Sequence, residues 1–478
     1  MTANRVWEVV VIGSGPGGQK AAIQAAKAGR RVLMIEQETQ VGGACVHRGT
    51  IPSKTLRETA MTFSAFRRKG GQVLEVNLPE DVQIAGLNSR LDGVVAAHEK
   101  FIADQIKRNG IEVWHGRARF KSPHTLEVVS ISRGTRRVDA KIVIIATGSR
   151  PRNPELVPID HEHIFDSDSI LSMRYLPRSL AVLGGGVIAT EYASIFATLG
   201  VRVTMIDKRE RPLAFADTEI VDRFLQTFAE AGGRFVARAQ VRSVAFDGVS
   251  AVVTTLGSGE EVWTEKVLCA LGRVANLEGL CLEAAGLKID AKGLVPVDAH
   301  YRTTTQHLYA VGDVIGPPSL AATAMEQGRL AARHALGLGV SDLGAGRSPV
   351  GIYAIPEIAS LGMNESEARA LGGAIVGRSE FRELARGQIG AIENGLLKLV
   401  ADASGTYLLG VQVIGEGASE LVHIGQMAML GHLPIDTFVE CTFNFPTLAE
   451  AYRVAALDIV GRRAAQPIIR TSQVRIAG

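Results

Sequence analysis

The chain has 478 residues, a formal net charge of +3, 46% hydrophobic and 21% charged residues, and 52 glycines. That length exceeds what one hydrophobic core serves and predicts about two to four domains, with the composition of an ordered globular protein rich in tight turns. The near-balanced charge, with arginines scattered rather than clustered, argues against nucleic acid as a partner. No apolar run reaches the length of a membrane span, and residues 1–10 lack a signal-like apolar core, so no membrane association and a cytoplasmic location are expected.

Residues 7–36, WEVVVIGSGPGGQKAAIQAAKAGRRVLMIE, read as an apolar strand, a glycine turn, an alanine-rich helix and a second apolar strand. Gly13, Gly15 and Gly18 have the spacing G-x-G-x-x-G, and Glu36 closes the second strand 18 positions after Gly18. Glycines at those places permit the tight turn, the approach of backbone to a pyrophosphate, and close packing of helix on strand. The helix N-terminus then offers its unpaired N–H groups to phosphate, and the acid accepts from a ribose hydroxyl. A dinucleotide site is expected here.

The next stretch, GGACVHRGTIPSK (42–54), sets Gly43, Cys45 and His47 in a glycine-rich turn before a helix start that carries Lys54. Cys45 could be half of a redox pair, a lone reactive thiol or a buried small residue. The four cysteines, Cys45, Cys269, Cys281 and Cys441, lie far apart without C-x-x-C spacing, so neither a disulfide scaffold nor a zinc site is expected, and His423 and His432 have no metal-ligand spacing. A histidine such as His47 is more commonly satisfied by backbone contacts than engaged in acid–base work.

A helix over about 89–109 and several short strands follow. AKIVIIATGSRP (140–151) is a buried strand that runs into a turn at Gly148. The strand–turn–helix–strand pattern then returns at SLAVLGGGVIATEYASIFATLGVRVTMID (179–207). There Gly184, Gly186 and Ala189 give G-x-G-x-x-A, and Asp207 again lies 18 positions beyond the third small residue. Two such units imply two dinucleotide sites, one for a tightly held flavin and one for a nicotinamide nucleotide. After Asp207 come Lys208, Arg209 and Arg211. The carboxylate suits the free 2′-hydroxyl of NAD, while the cations either form a solvated basic turn or suit the 2′-phosphate of NADP, which a site serving both nucleotides would need. VLCALGRVANLEGL (267–280) repeats the strand-to-glycine form at Gly272, and residues 309–336 read as a strand, a turn bearing Asp313 and a helix. From about 347 alternating strand signals and helices replace the nucleotide fingerprints, as an interface domain would.

These motifs in this order resemble the pyridine nucleotide-disulfide oxidoreductase superfamily of flavoproteins. The resemblance runs from the first GxGxxG through GGxC, ATG, the second fingerprint, the GRxxN of Gly272, Arg273 and Asn276, the YAVGD turn and a C-terminal PTxxE. It implies an α/β fold with two Rossmann-like domains: a flavin domain (1–150 and 276–346) interrupted by a nicotinamide domain (151–275). An α+β dimerisation domain (347–478) would follow, giving a homodimer or larger homo-oligomer. It further implies FAD as cofactor, Asp313 beside the flavin ribityl chain, and Lys54 paired with Glu191 close to the flavin ring. Glu450 is then expected near the flavin of a partner chain.

Disulfide reductases of this superfamily carry C-x4-C in the first turn and a histidine before the C-terminal proline. Here those places hold Thr50 and Phe445, while Pro446, Thr447 and Glu450 remain. The double departure, with GGACVHRGTIPSK, FDSDSILSM (165–173) and FNFPTLAEAYRVAAL, resembles the branch of soluble pyridine nucleotide transhydrogenases. That implies hydride exchange between NADPH and NAD+ through FAD in a two-step cycle, with NAD and NADP as substrates. No thiol relay is then involved, and Cys45 is expected to be a buried structural thiol. The alternatives are an NAD(P)H-dependent quinone or dye reductase or oxidase, and an electron-carrier subunit of a dehydrogenase complex.

Overall fold

The computed structural model describes residues 6–73, 84–339 and 348–465. The chain divides into two compact units, Met1–Pro212 with Ala231–Asp342, and Leu213–Glu230 with Leu343–Gly478. Residues 213–230, inside the stretch read above as nicotinamide-binding, thus cluster with the C-terminal residues.

The first unit holds two parallel sheets of the same design. In one, the strands run in the order Glu112–His115, Val32–Glu36, Trp7–Ile12, Gly134–Ile145 and Leu308–Ala310, every pair parallel. Val9, Val11 and Met34 on one face pack with Ala21, Ala25, Ile102, Ile106 and Ala331 from the helices Pro16–Lys27, Ile84–Arg108 and Ala321–Ala335. Val10, Ile12, Leu33 and Ile35 on the other face meet Phe120, Leu126 and Val128 of an antiparallel meander and Leu280–Val295 of the returning chain. Both faces are therefore dry, which is why these strands read as unbroken apolar runs.

The second sheet repeats the plan: Arg234–Val236, Arg202–Ile206, Ser179–Leu183, Lys266–Cys269 and Ile164–Asp166, all parallel, with a separate three-stranded antiparallel sheet packed on one face. In each sheet one central strand, Trp7–Ile12 or Ser179–Leu183, feeds a glycine turn and then a helix, so both turns lie at the C-terminal edge of a central strand, where open α/β sheets bind ligands. The chain leaves the first sheet through Ser149–Pro151 and returns through Arg273–Ala275, and these two short strands pair antiparallel.

The second unit is an antiparallel five-stranded sheet in the order Val350–Ile352, Ile358–Gly362, Leu408–Ile414, Leu396–Ala401, Ile375–Glu380. Leu397, Leu399, Val411 and Val413 face the helices Ala418–Leu430 and Glu450–Ala465. Lys398 points to the opposite side, to residues 217 and 219 at the start of the helix Thr218–Glu230. The alternation expected of half-exposed strands is absent, and Leu396–Ala401 is buried along its whole length, because a helix distant in sequence covers the second face.

Candidate active site

The first glycine turn divides its labour. A Cβ on Gly13 would lie 2.3 Å from the Ala146 carbonyl oxygen, and one on Gly18 would lie 2.0 Å from that of Gly13, so both are demanded by the protein's own packing. Gly15 has nothing within 4 Å of its would-be Cβ, which leaves that side of the turn open to a ligand. Gly15 is also the N-cap of the helix Pro16–Lys27, with no side chain accepting from the first-turn N–H groups. The helices Val187–Thr198 (N-cap Gly186) and Ala321–Ala335 (N-cap Leu320) likewise begin without a side-chain cap. Uncapped helix N-termini offer unpaired N–H donors that suit a phosphate.

Glu36 is buried at the end of its strand. Its carboxylate accepts from the Ser14 N–H (2.9 Å), the Ser14 hydroxyl (2.5 Å) and the Glu38 N–H (3.0 Å), and the Ser14 oxygen in turn accepts from the Gly42 N–H (2.9 Å). Ser14 thus links the first glycine turn, Glu36 and the turn before Cys45, a role its place between two glycines did not signal. Gly43 opens the short helix Gly43–His47 and packs against Gly15.

Cys45 is half-buried rather than buried, because Gly43–His47 is a single surface turn whose Val46 alone points inward. Burial pushes its thiol above the ordinary value. The Thr50 hydroxyl, hydrogen-bonded to it, and the Lys54 charge pull the other way without prevailing. His47 meets a backbone partner, the Val41 carbonyl, at 2.9 Å from Nε2.

Lys54 stands in the first turns of the helix Thr50–Val73, and its Nζ lies 2.6 Å from Glu191 Oε2 on the helix Val187–Thr198. The side chains are 24% and 6% exposed, so the pair is well shielded from water on the Glu191 side. It ties the first dinucleotide half to the second.

In the second turn Gly184 takes the place of Gly13, with its would-be Cβ 2.6 Å from the Ala270 carbonyl, and Gly186 is open as Gly15 is. Ala189 is fully buried where helix meets sheet. Asp207 lies one residue beyond the strand Arg202–Ile206 and is buried, with Gly185 packed against its carboxylate and the Arg209 N–H donating to Oδ1 at 2.7 Å. Lys208 and Arg209 are exposed beside it.

Gly148 and Gly272 lie at opposite ends of the paired strands, where the Asn276 N–H donates to the Gly148 carbonyl and the Arg152 N–H to that of Gly272, both at 2.9 Å. Asp313 Oδ2 accepts from the Ser149 hydroxyl at 2.5 Å, and the Gly312 N–H before it donates to Gln327 Oε1 at 2.8 Å. Gln327 and Gly328 lie in the helix Ala321–Ala335, and a Cβ on Gly328 would reach within 2.0 Å of the Gly17 carbonyl, so the two helices cross in direct backbone contact. Ser149, Gln327 and Gly328 were not singled out by spacing; only the glycine in EQGR hinted at a close approach.

The hydroxyls of Thr147 and Thr323 are buried and have no hydrogen-bond partner among the described residues, as is that of Thr190 on the second helix. Buried orphans of this kind are rare unless a ligand completes them. An open glycine turn, an uncapped helix and orphaned hydroxyls fit the pyrophosphate and ribityl portions of a flavin dinucleotide. Among the described residues no three His, Cys, Asp or Glu side chains are grouped to hold a metal ion, and no helix is long and apolar enough to cross a membrane.

Comparison with known proteins bears on the same residues. The pyridine nucleotide-disulphide oxidoreductase model matches residues 7–328, and the dimerisation-domain model of that family matches 348–456. The chain belongs to the pyridine nucleotide-disulphide oxidoreductase family. Members use FAD and nicotinamide nucleotides. The soluble pyridine nucleotide transhydrogenase of Mycobacterium bovis (BCG Pasteur) is 41% identical over 463 residues, 96% of this chain and 98% of the relative. That of a Marinomonas species is also 41% identical over 463 residues, 95% of this chain and 98% of the relative. Among solved structures, LpdA of Mycobacterium tuberculosis superposes with a TM-score of 0.88 at 28% identity, covering 95% of this chain and 99% of that one. The HOCl-induced flavoprotein disulfide reductase RclA of Escherichia coli gives 0.85 at 25% identity over 94% and 99%. The α/β architecture with a C-terminal dimerisation domain is therefore that of the family.

Proposed function

We propose that this protein exchanges hydride between NADPH and NAD+ through bound FAD, in two half-reactions and without a redox disulfide. The observation that carries the reading is the pairing of two complete dinucleotide cradles with a first turn in which Cys45 faces Thr50 instead of a second thiol. FAD supplies the hydride acceptor and donor. The chain's part is to hold it with Glu36, Asp313 and the turn that Gly13 and Gly18 shape and Gly15 leaves open, and to hold the nucleotide with the Asp207–Arg209 turn and the turn that Gly184 and Ala189 shape and Gly186 leaves open. Lys54, fixed by Glu191, sets a positive charge at the flavin ring and favours its electron-rich reduced form. Hydride carries its proton with it, so no general base is required, in keeping with a backbone-bound His47.

The C-terminal unit supports a homodimer through residues 347–478, and solvent-exposed Phe445 (74%) fits an apolar contact there. Such a soluble flavoprotein would work in the cytoplasm. Reducing the bound flavin with NADPH in a stopped-flow instrument, then mixing with NAD+ or with a quinone, tests the reading. Reoxidation is expected to be faster with NAD+. Faster reoxidation by the quinone would make the protein a reductase instead.

A further inference from the structure

We propose that Arg273, acting through Ser149, is a positioning residue that fixes the Asp313 carboxylate against the flavin and locks it to the 166–169 turn of the nicotinamide half. The proposal deepens the functional reading, resting on FAD lying against Asp313.

The observations are four bonds from one guanidinium. Arg273 Nε donates to the Ser149 hydroxyl at 2.8 Å and Nη2 to the Ser149 carbonyl at 2.8 Å. Nη1 donates to the Ser167 hydroxyl at 3.2 Å and to Asp168 Oδ1 at 3.0 Å. The Ser149 hydroxyl passes the chain on, since its own proton is donated to Asp313 Oδ2. It therefore accepts from a permanent cation and donates to an anion, an arrangement in which each bond polarises the next.

The far end is equally fixed. Asp166 Oδ1 accepts from the N–H groups of Asp168 and Ser169 and from the Ser169 hydroxyl, so Asp168 is presented on a closed turn. Ser149 and Arg273 are also where the chain passes between the two sheets in each direction, on strands paired Ala275 to Ser149 and Arg273 to Pro151. One side chain thus spans the crossing that sets how flavin and nicotinamide cradles meet. Only a planar fork satisfies two atoms of Ser149 and two of the 166–169 turn together, and a lysine cannot. Hydride transfer is sensitive to displacements of a fraction of an ångström, which gives such a clasp leverage on rate.

The test uses FAD-loaded Arg273→Lys and Ser149→Ala proteins. Ser149→Ala keeps the backbone acceptor and removes only the relay to Asp313, so it decides the matter even where Arg273→Lys folds poorly. Reduction of the flavin by NADPH is expected to slow by about ten- to a hundredfold in both, with NADPH affinity little changed. In Ser149→Ala the visible absorption band of bound FAD should shift and FAD should dissociate more readily. Wild-type reduction rates in both variants overturn the proposal, as does slowed reduction with unaltered flavin spectrum and affinity, which would place the effect away from Asp313. Failure of the wild-type protein to bind FAD would instead remove the functional reading beneath it.

Discussion

At the scale of single residues, the proposed choice of nucleotide rests on the turn after the strand Arg202–Ile206. Asp207 is buried and held in place by the Arg209 N–H, while the Lys208 and Arg209 side chains stand exposed beside it. A fixed carboxylate suits a ribose diol, and exposed cations suit a 2′-phosphate that arrives with only one of the two nucleotides. Asp207→Ala is expected to weaken NAD more than NADP, and Lys208→Ala with Arg209→Ala to weaken NADP more than NAD. Each loss should amount to roughly 1.5–3 kcal/mol, or about one to two decades in dissociation constant. Equal losses of both nucleotides in the double variant would show that the cations do not read the phosphate. Cys45→Ser makes a second case. Its thiol is pushed above the ordinary value by burial and bonded to a hydroxyl, so little thiolate is present at neutral pH. The variant should retain most nucleotide-to-nucleotide hydride transfer, and a fall of several orders of magnitude with FAD still bound would give the thiol a part in the reaction.

At the scale of elements, the two glycines Gly15 and Gly328 serve opposite needs and should respond differently to the same substitution. Gly328 is where the helices Pro16–Lys27 and Ala321–Ala335 touch, and a methyl there would meet the Gly17 carbonyl. Gly328→Ala must push these helices apart, at a cost of about 1–3 kcal/mol, and the N-terminus of the cradle helix moves with them. Calorimetry should record a lower melting temperature even without FAD. Gly15→Ala meets no protein atom, so the apoprotein should melt as the wild type does while FAD affinity falls. An apoprotein equally destabilised by both changes would contradict the division between packing and binding glycines. The first of these roles is hidden in the sequence, where Gly328 is one glycine in a polar helix. The second is visible because Gly15 belongs to a spaced motif whose chemistry is known.

At the scale of the whole molecule, the C-terminal unit is organised around a buried charge cluster. Lys398, 2% exposed, lies 2.9 Å from Asp217, 3.0 Å from Glu219 and 2.8 Å from Glu365, and Arg378 contacts both glutamates at 2.9 Å. Burial alone would raise Glu365, but bonds from Lys398 and Arg369 and the charges of Lys398 and Arg378 carry it down to about 2, and Glu219 is lowered in the same way by Arg378 and Lys398. A carboxylate depressed by folding stabilises above its ordinary value of 4.5 and loses that contribution as pH falls toward its folded value. Burial lowers Lys398 and its carboxylates raise it further, so its share persists below 10.5 and fades only above. The unit should therefore hold a stability plateau from about pH 5 to pH 10 and weaken between pH 4.5 and 2. Lys398→Met, which leaves Glu219 and Glu365 to Arg378 and takes the lysine away from Asp217, should cost about 3–5 kcal/mol at pH 7 and blunt the acid dependence, since Glu219 and Glu365 are then depressed less. Denaturant titrations at pH 7, 5 and 3 test both, and an acid dependence unchanged in the variant would detach the pH effect from the cluster.

What the sequence determined by itself is local. The two strand–turn–helix–strand units, their spaced glycines, Glu36 and Asp207 each follow from patterns within about thirty residues, because the phosphate turn, helix start and ribose acid of a nucleotide cradle are built from one continuous segment. Thr50 and Phe445 spoke equally plainly, as departures from a pattern. The pairing of Lys54 with Glu191 across 137 positions was legible only through the family resemblance, and the tertiary structure alone decided that Ser149 meets Asp313 across 164 and, in the C-terminal unit, that Lys398 meets Asp217 across 181. It also decided that Cys45 is half-buried, and that Leu396–Ala401 is buried on both faces, by the C-terminal helices on one and with Lys398 turned to the start of the helix Thr218–Glu230 on the other. Contacts at such separations depend on how sheets and helices stack, and burial is a property of what finally covers a residue, so neither leaves a periodic signal in the chain.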